Sequence, residues 1–156
     1  MITLLQQQYE LVLGSRNTLI DYLATIDNAD FLKENSSFGR GSIRNLLVHI
    51  CDTYASWIGE RALKKQIIYL SYNNFNNIKD CSDYFKTIDN YINEFIAKQN
   101  NNYNALIEIP RNGEILQISP LQLFTHVITH EFHHKGQIMS LSRHLNYTPV
   151  DADIIR

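Results

Sequence analysis

Residues 120–145 read PLQLFTHVITHEFHHKGQIMSLSRHL. Ser119 offers a hydroxyl N-cap just before them, and Pro120 suits the first helical position, where a missing N–H costs nothing. At the other end Asn146 sits where a left-handed C-cap residue belongs, with Pro149 just beyond. At about 100° per residue and with His130 at zero, Leu123, Val127, Ile138, Leu141 and Leu145 fall at roughly 20 to 80°. Phe124, Ile128 and Ser142 follow at roughly 120 to 160°. The spacing predicts one long amphipathic helix over about residues 120 to 145. A helix of that length with one apolar arc needs partners of similar length to cover it.

Those partners stand upstream. Leu5, Tyr9, Val12, Leu19, Leu23 and Ile26 keep the three-and-four spacing of a helix over about residues 3 to 27. After Phe38-Gly-Arg-Gly-Ser42, with Ser42 as N-cap, a second stripe runs through Ile43, Leu46, Leu47, Ile50, Tyr54, Trp57 and Ile58, predicting a helix over about 42 to 65. Tyr69 to Lys79 is rich in asparagine and aromatics without helical period and reads as a loop. Ser82 is the expected cap of a third helix whose apolar face is Tyr84, Phe85, Ile88, Ile92, Phe95 and Ile96. The segment LIEIPRNGEILQIS differs, since two alternating runs flank Asn112-Gly113, the dipeptide of tight hairpin turns. Pro110 confines the first of those strands to an edge. Without an internal repeat, heptad array or linker, residues 1–156 are expected to form a single all-α domain, a four-helix bundle with a short β-hairpin between helices three and four.

Composition narrows the function classes. At 156 residues and a net charge of -2 the chain has the length of one domain, and its basic residues are scattered rather than striped, which argues against nucleic acid as a partner. Cys51 and Cys81 match neither a disulfide framework nor a CxxC site and are expected as small buried hydrophobes in a reducing compartment. The N-terminus lacks the pattern of a signal peptide, and no apolar run approaches the roughly 20 residues that span a bilayer, so a cytoplasmic protein without a membrane partner is expected.

The histidines carry the chemistry. On the fourth helix His130 and His134 fall near 0 and 40°, at the margin of the apolar arc and stacked on one side, as two ligands of one ion would be. His126, His133 and His144 land at roughly -40 to -60°, on the polar side, although a rotation of about 40° would bring His126 in. His49 bears the same relation to the apolar face of helix two. If helices two and four are neighbours, three imidazoles can converge at the rim of the core, where bundles build metal sites. Single histidines at a helix margin are more often hydrogen-bonded structural residues, so spacing alone leaves both readings open. Glu131 and Lys135 project into the apolar arc in the order that favours an ion pair. One reading makes them a partly buried salt bridge, the other makes Glu131 a base beside the ion. Residues 130–134 also satisfy HExxH, the zinc-protease helix motif, but the downstream Gly and third His of the extended form are missing, because His144 lies ten residues after His134 rather than six.

The whole chain resembles the DinB/YfiT-like superfamily of small bacterial four-helix proteins. The resemblance rests on Leu46-Leu47-Val48-His49-Ile50-Cys51-Asp52 with Trp57 downstream, and on His130 and His134 followed by Lys135-Gly136-Gln137-Ile138, Leu141, Arg143 and Pro149. Lys135 departs from the family's usual Arg, and Asn146 from its usual Gly. The resemblance implies that His49, His130 and His134 form a metal triad and that the protein is a divalent-metal enzyme, with thiol transfer or hydrolysis of small thiol conjugates as its expected chemistry. Three neutral imidazoles leave an ion open positions and suit zinc or nickel, with iron as a third choice. Glu131 and Asp52 are candidate bases or supporting groups, and His126 and Trp57 candidate substrate contacts. The expected partners are a small molecule, a low-molecular-weight thiol among them, and a second copy of the chain in a homodimer. The rival reading is a non-catalytic, metal-stabilised helical dimer.

Overall fold

Thr3 starts the first helix with a reciprocal capping box: its hydroxyl accepts from the Gln6 N–H at 3.2 Å, and its own N–H donates to the Gln6 side chain at 2.8 Å. In the computed structural model, which describes residues 2–156, the resulting helix α1 spans Leu4–Leu23. It stops a turn earlier than the spacing suggests, because Asp27 caps a separate short helix, α2 (Asn28–Leu32), whose Phe31 is buried against the core. Ser42 accepts from the Asn45 N–H at 3.0 Å and opens α3 (Ile43–Tyr54). From Ala55 to Ala62 that helix continues with the wider π turn. An extended stretch with a 3₁₀ turn at Tyr72–Asn74 leads to α4 (Ile78–Lys98). The cap of α4 is Asn77, whose side chain accepts from the Asp80 N–H at 3.0 Å. Ser82 lies inside the helix, which corrects the expected start: asparagine caps as well as serine, and the last residues of the supposed loop are the first turn.

Strands β1 (Ile107–Arg111) and β2 (Glu114–Ile118) pair antiparallel with Arg111 opposite Glu114. Asn112 at φ 51° and Gly113 at φ 82° make the two-residue turn between them. Next to such a turn Pro110 occupies a pair whose backbone groups point outward, so its missing N–H breaks no ladder bond, and its carbonyl is free to accept from Arg61 at 3.0 Å. Ser119 and Pro120 begin α5 (Pro120–His144) as expected. Its C-terminus closes as a Schellman motif, with Asn146 at φ 71°, its N–H on the Arg143 carbonyl, and the Tyr147 N–H on that of Ser142. Asparagine therefore fills the left-handed C-cap position expected of it.

The four long helices form one bundle with the hairpin at its side, an all-α fold. α3 packs against both α4 and α5, and α1 against α4. Tyr22 donates to Ser142 at 2.9 Å, and Lys135 to Ser15 at 2.9 Å, which ties α1 to α5. Leu5, Val12, Leu19, Leu46, Leu47, Ile50, Ile88, Ile92, Val127, Ile138 and Leu141 fill the interior, together with the free cysteines Cys51 and Cys81. Among the described residues no helix is long and apolar enough to cross a membrane.

Candidate metal centre

The adjacency of α3 and α5 brings His49, on the second turn of α3, against two successive turns of α5. One nitrogen from each of His49, His130 and His134 lies within 4.8 Å of the others. The His130 and His134 Nε2 atoms are 3.0 Å apart. Nitrogens bound to one tetrahedral ion at about 2.0–2.1 Å stand about 3.3 Å apart, so these side chains need only a small adjustment to share a cation. Protein groups do not saturate them. His130 Nδ1 is buried without a hydrogen-bond partner, and beyond the other imidazole its Nε2 has only the Thr53 hydroxyl at 3.5 Å. His134 is better defined, because its Nδ1 lies 2.6 Å from the Gln137 side-chain oxygen. Donating that proton to Gln137 leaves the Nε2 lone pair aimed at the cluster, the arrangement by which outer groups orient a ligating imidazole.

Electrostatics keep the three rings neutral. Burial, then the Arg40 guanidinium and the His134 ring, lowers His49 to about 4. Burial followed by the neighbouring imidazoles lowers His130 to about 4. Burial lowers His134 as well, against the opposing pull of Gln137. At neutral pH each therefore offers a lone pair without first losing a proton.

An open hollow of about 240 Å³ lies on the solvent side of His49, lined by Asp52, Thr53, Ser56, Trp57 and Tyr69. Asp52 reaches it with one oxygen free, the other accepting from the Tyr84 hydroxyl at 2.9 Å, and burial raises its pKa. Trp57 stands where α3 has widened into its π turn, a feature that is frequent at functional sites. Its ring meets that of exposed His126 edge-on at 5.0 Å, and His126 is 6.4 Å from His130, so this pair extends the site toward the hairpin. His133 is exposed beside His134, and His144 is exposed near Phe38 at the far end of α5.

Glu131 is not a base at this centre. Its carboxylate is completely buried on another side of α5, where it accepts from Arg16 Nε at 2.9 Å, Arg16 Nη2 at 2.8 Å and the Tyr54 hydroxyl at 2.5 Å, with Lys135 Nζ at 3.1 Å. Burial alone would raise its pKa, but Arg16, then Lys135 and Tyr54, hold it at about 2. A carboxylate so occupied cannot receive a proton from the triad, and of the two readings of Glu131–Lys135 the buried ion pair describes the structure. Arg16 also reaches Asp89 at 2.6 Å and lies over Phe85 at 4.4 Å, which makes it the hub of the network. Sequence reasoning passed over Arg16, although the signal was there: it falls in the apolar stripe between Val12 and Leu19, at the position that spacing reserves for a buried residue. Gln137 was legible only as part of a motif, three residues from His134 and so on the same face.

Four long helices with a histidine from α3 and two from α5 gathered at the bundle rim make this a helical-bundle protein with a candidate metal site. The chain belongs to the DinB family, whose family model matches residues 1–156. Among curated proteins it is similar to Uncharacterized protein YizA of Bacillus subtilis (strain 168), with 29% identity over 126 residues, 80% of this chain and 77% of that protein. The histidine cluster could hold a metal ion.

Proposed function

We propose that the protein is a divalent-metal-dependent enzyme that acts on small thiol conjugates, with transfer of the thiol group as its main reaction and hydrolysis as the alternative outcome at the same site. The observation that carries this reading is the convergence of three neutral imidazoles beside an open hollow. A closed structural site would have a fourth protein ligand instead. All-nitrogen donors suit zinc or nickel, with iron third. When bound, such an ion supplies the positive charge that favours a thiolate over a thiol near neutral pH.

The chain's own residues do the rest. His49, His130 and His134 would hold the ion, and Gln137 fixes the tautomer of His134. The Asp52 oxygen not engaged by Tyr84 would take the proton of the free thiol as its sulfur bonds to the acceptor carbon, and return it to the group that leaves that carbon, with its raised pKa bringing it nearer to that task. Trp57 and His126 provide a flat wall against which the remainder of the conjugate packs. The test is to load the protein with cobalt and titrate it with a simple thiol. A sulfur-to-metal charge-transfer band, absent in His49→Ala, is the expected result, together with turnover of thiol conjugates by the zinc form. A full complement of metal with neither band nor turnover would overturn the reading.

A further inference from the structure

Arg40 is held in place by its backbone and left free at its side chain. Its carbonyl accepts from Asn45 Nδ2 at 2.8 Å, and the following Gly41, at φ 92°, donates its N–H to the Phe38 carbonyl at 2.7 Å. This turn sets the residue at the N-terminal end of α3, beside the triad. The guanidinium is exposed, and its Nη2 lies 3.4 Å from His49 Nε2. Among the described residues no carboxylate lies within ion-pair distance of it, and Asp52 feels its charge only at longer range. The acid in the same loop, Glu34, is taken by Asn45 at 3.1 Å and Arg44 at 3.7 Å. A guanidinium carries five donors arranged to match an oxyanion, and an imidazole nitrogen is a poor substitute. With a cation on that nitrogen the two positive charges would repel, and an anion seated between them relieves both.

An exposed arginine is ordinarily just solvated, so its surroundings decide. No arginine among the described residues lines the hollow itself, and two other guanidiniums stand near its Trp57 end. Arg61 is spent on the Pro110 carbonyl and the Ser56 hydroxyl, and Arg111 lies over the Trp57 ring at 5.6 Å. Trp57 is two helical turns from His49, about 12 Å along the axis. Among the described residues Arg40 is thus the guanidinium that stands against a triad imidazole, where a reacting atom would sit.

We propose that the substrate carries a carboxylate or equivalent oxyanion close to its reacting atom, and that Arg40 receives this group. Arg40 then sets which thiol conjugates the site accepts: those with an acidic group a few bonds from sulfur. The inference rests on the thiol reading above for the identity of the reacting atom, though not for the oxyanion seat.

Calorimetric titration of the zinc-loaded protein with three probes tests it: mercaptosuccinate, with thiol and carboxylates; succinate, with carboxylates alone; and thioglycerol, with an uncharged thiol. Arg40→Gln is expected to weaken both anions by about ten-fold or more, as loss of a charge-assisted hydrogen bond should. Thioglycerol should change by less than about two-fold, while Arg40→Lys falls between, keeping the charge without the fork. Arg111→Gln removes the same charge beside the Trp57 ring rather than beside His49 and should change all three by less than about two-fold. Equal losses in the Arg40 and Arg111 variants, anion affinities unchanged in Arg40→Gln, no anion binding to the native protein, or loss of zinc from Arg40→Gln would each overturn the inference. Arg40-dependent succinate binding with no response to thioglycerol would instead overturn the thiol reading and leave the oxyanion seat standing.

Discussion

His130 and Glu131 are consecutive in the chain and serve different sides of α5. His130 Nε2 stands 3.0 Å from His134 Nε2 at the rim, while Glu131 accepts from Arg16 at 2.8 Å and from Tyr54 at 2.5 Å within the bundle. One residue of helix is about 100° of rotation, enough to separate a ligand from a buried ion pair. The HExxH pattern is therefore divided between a site and its scaffold.

That division predicts how Glu131→Gln behaves. Removing one partner of a buried pair leaves Arg16 and Lys135 short of a counter-charge, with an expected loss of about 3–5 kcal/mol by denaturant titration. The folded fraction should still bind metal at the native stoichiometry. The folded-state pKa of about 2 lies below the usual 4.5, so the native contribution of Glu131 is complete above 4.5 and lost as pH falls toward 2. The variant should lack this part of the acid limb. An undiminished melting temperature with lost metal would return Glu131 to the metal centre.

Alanine at His49, His130 or His134 should have the opposite signature. These rings sit at the rim, and two of them are only half-buried, so each variant should keep its helical spectrum while elemental analysis shows that tight metal binding is gone. His133→Ala, which changes an exposed ring beside His134, should retain the ion. Metal retained in His49→Ala would mean that α3 contributes no ligand.

Gln137 supports the site without belonging to the cluster. Gln137→Leu removes the acceptor for His134 Nδ1 and frees that ring to turn or change tautomer. Metal affinity measured by competition with a chelator should fall by about 10- to 100-fold, as for other outer-shell partners. The melting temperature of the metal-free protein should hardly move, because Gln137 is only partly buried. A change in stability without a change in affinity would make its role structural.

What could be read in advance depended on whether the cause was local. Caps at Ser42 and Ser119, the Asn112-Gly113 turn and the left-handed Asn146 are each produced by a residue and its near neighbours, and each occurs where the residues indicate. The histidine pair on α5 was legible for the same reason. The start of α4 was misplaced because an asparagine-rich run reads as loop while Asn77 within it is a cap. The π turn from Ala55 leaves no trace in the apolar stripe, which continues through Trp57 and Ile58. It accompanies tight packing across the bundle, where Gly59 lies so close to Tyr91 and Ile67 that an added methyl would sit 3.1–3.2 Å from both. Arg16 and Glu131 are 115 positions apart. Periodicity could mark each as a charge in an apolar arc, but only tertiary structure could show that they meet.

The pH dependence of metal binding follows from the same burial that shapes the site. An ion competes with protons for the imidazole lone pairs, so affinity declines once pH falls below the folded-state pKa of the ligands. Ordinary histidines would begin to lose metal near pH 6.5, whereas His49 and His130 are lowered to about 4, chiefly by burial. Affinity should therefore hold below pH 6.5, where ordinary histidine ligands would fail, and fall most steeply as His49 and His130 take up protons around 4, with His134 also lowered. The metal-free protein supplies the sign check. Its unfolded chain takes up protons at these residues near 6.5 while the folded form resists until about 4, so stability is full above 6.5 and declines as pH falls through that window. In the His49→Ala/His130→Ala double variant this decline should be much shallower between pH 6.5 and 4. NMR titration of the imidazole C–H resonances would measure the two values directly, and midpoints near 6.5 would contradict the burial that makes these nitrogens ready to bind an ion at neutral pH.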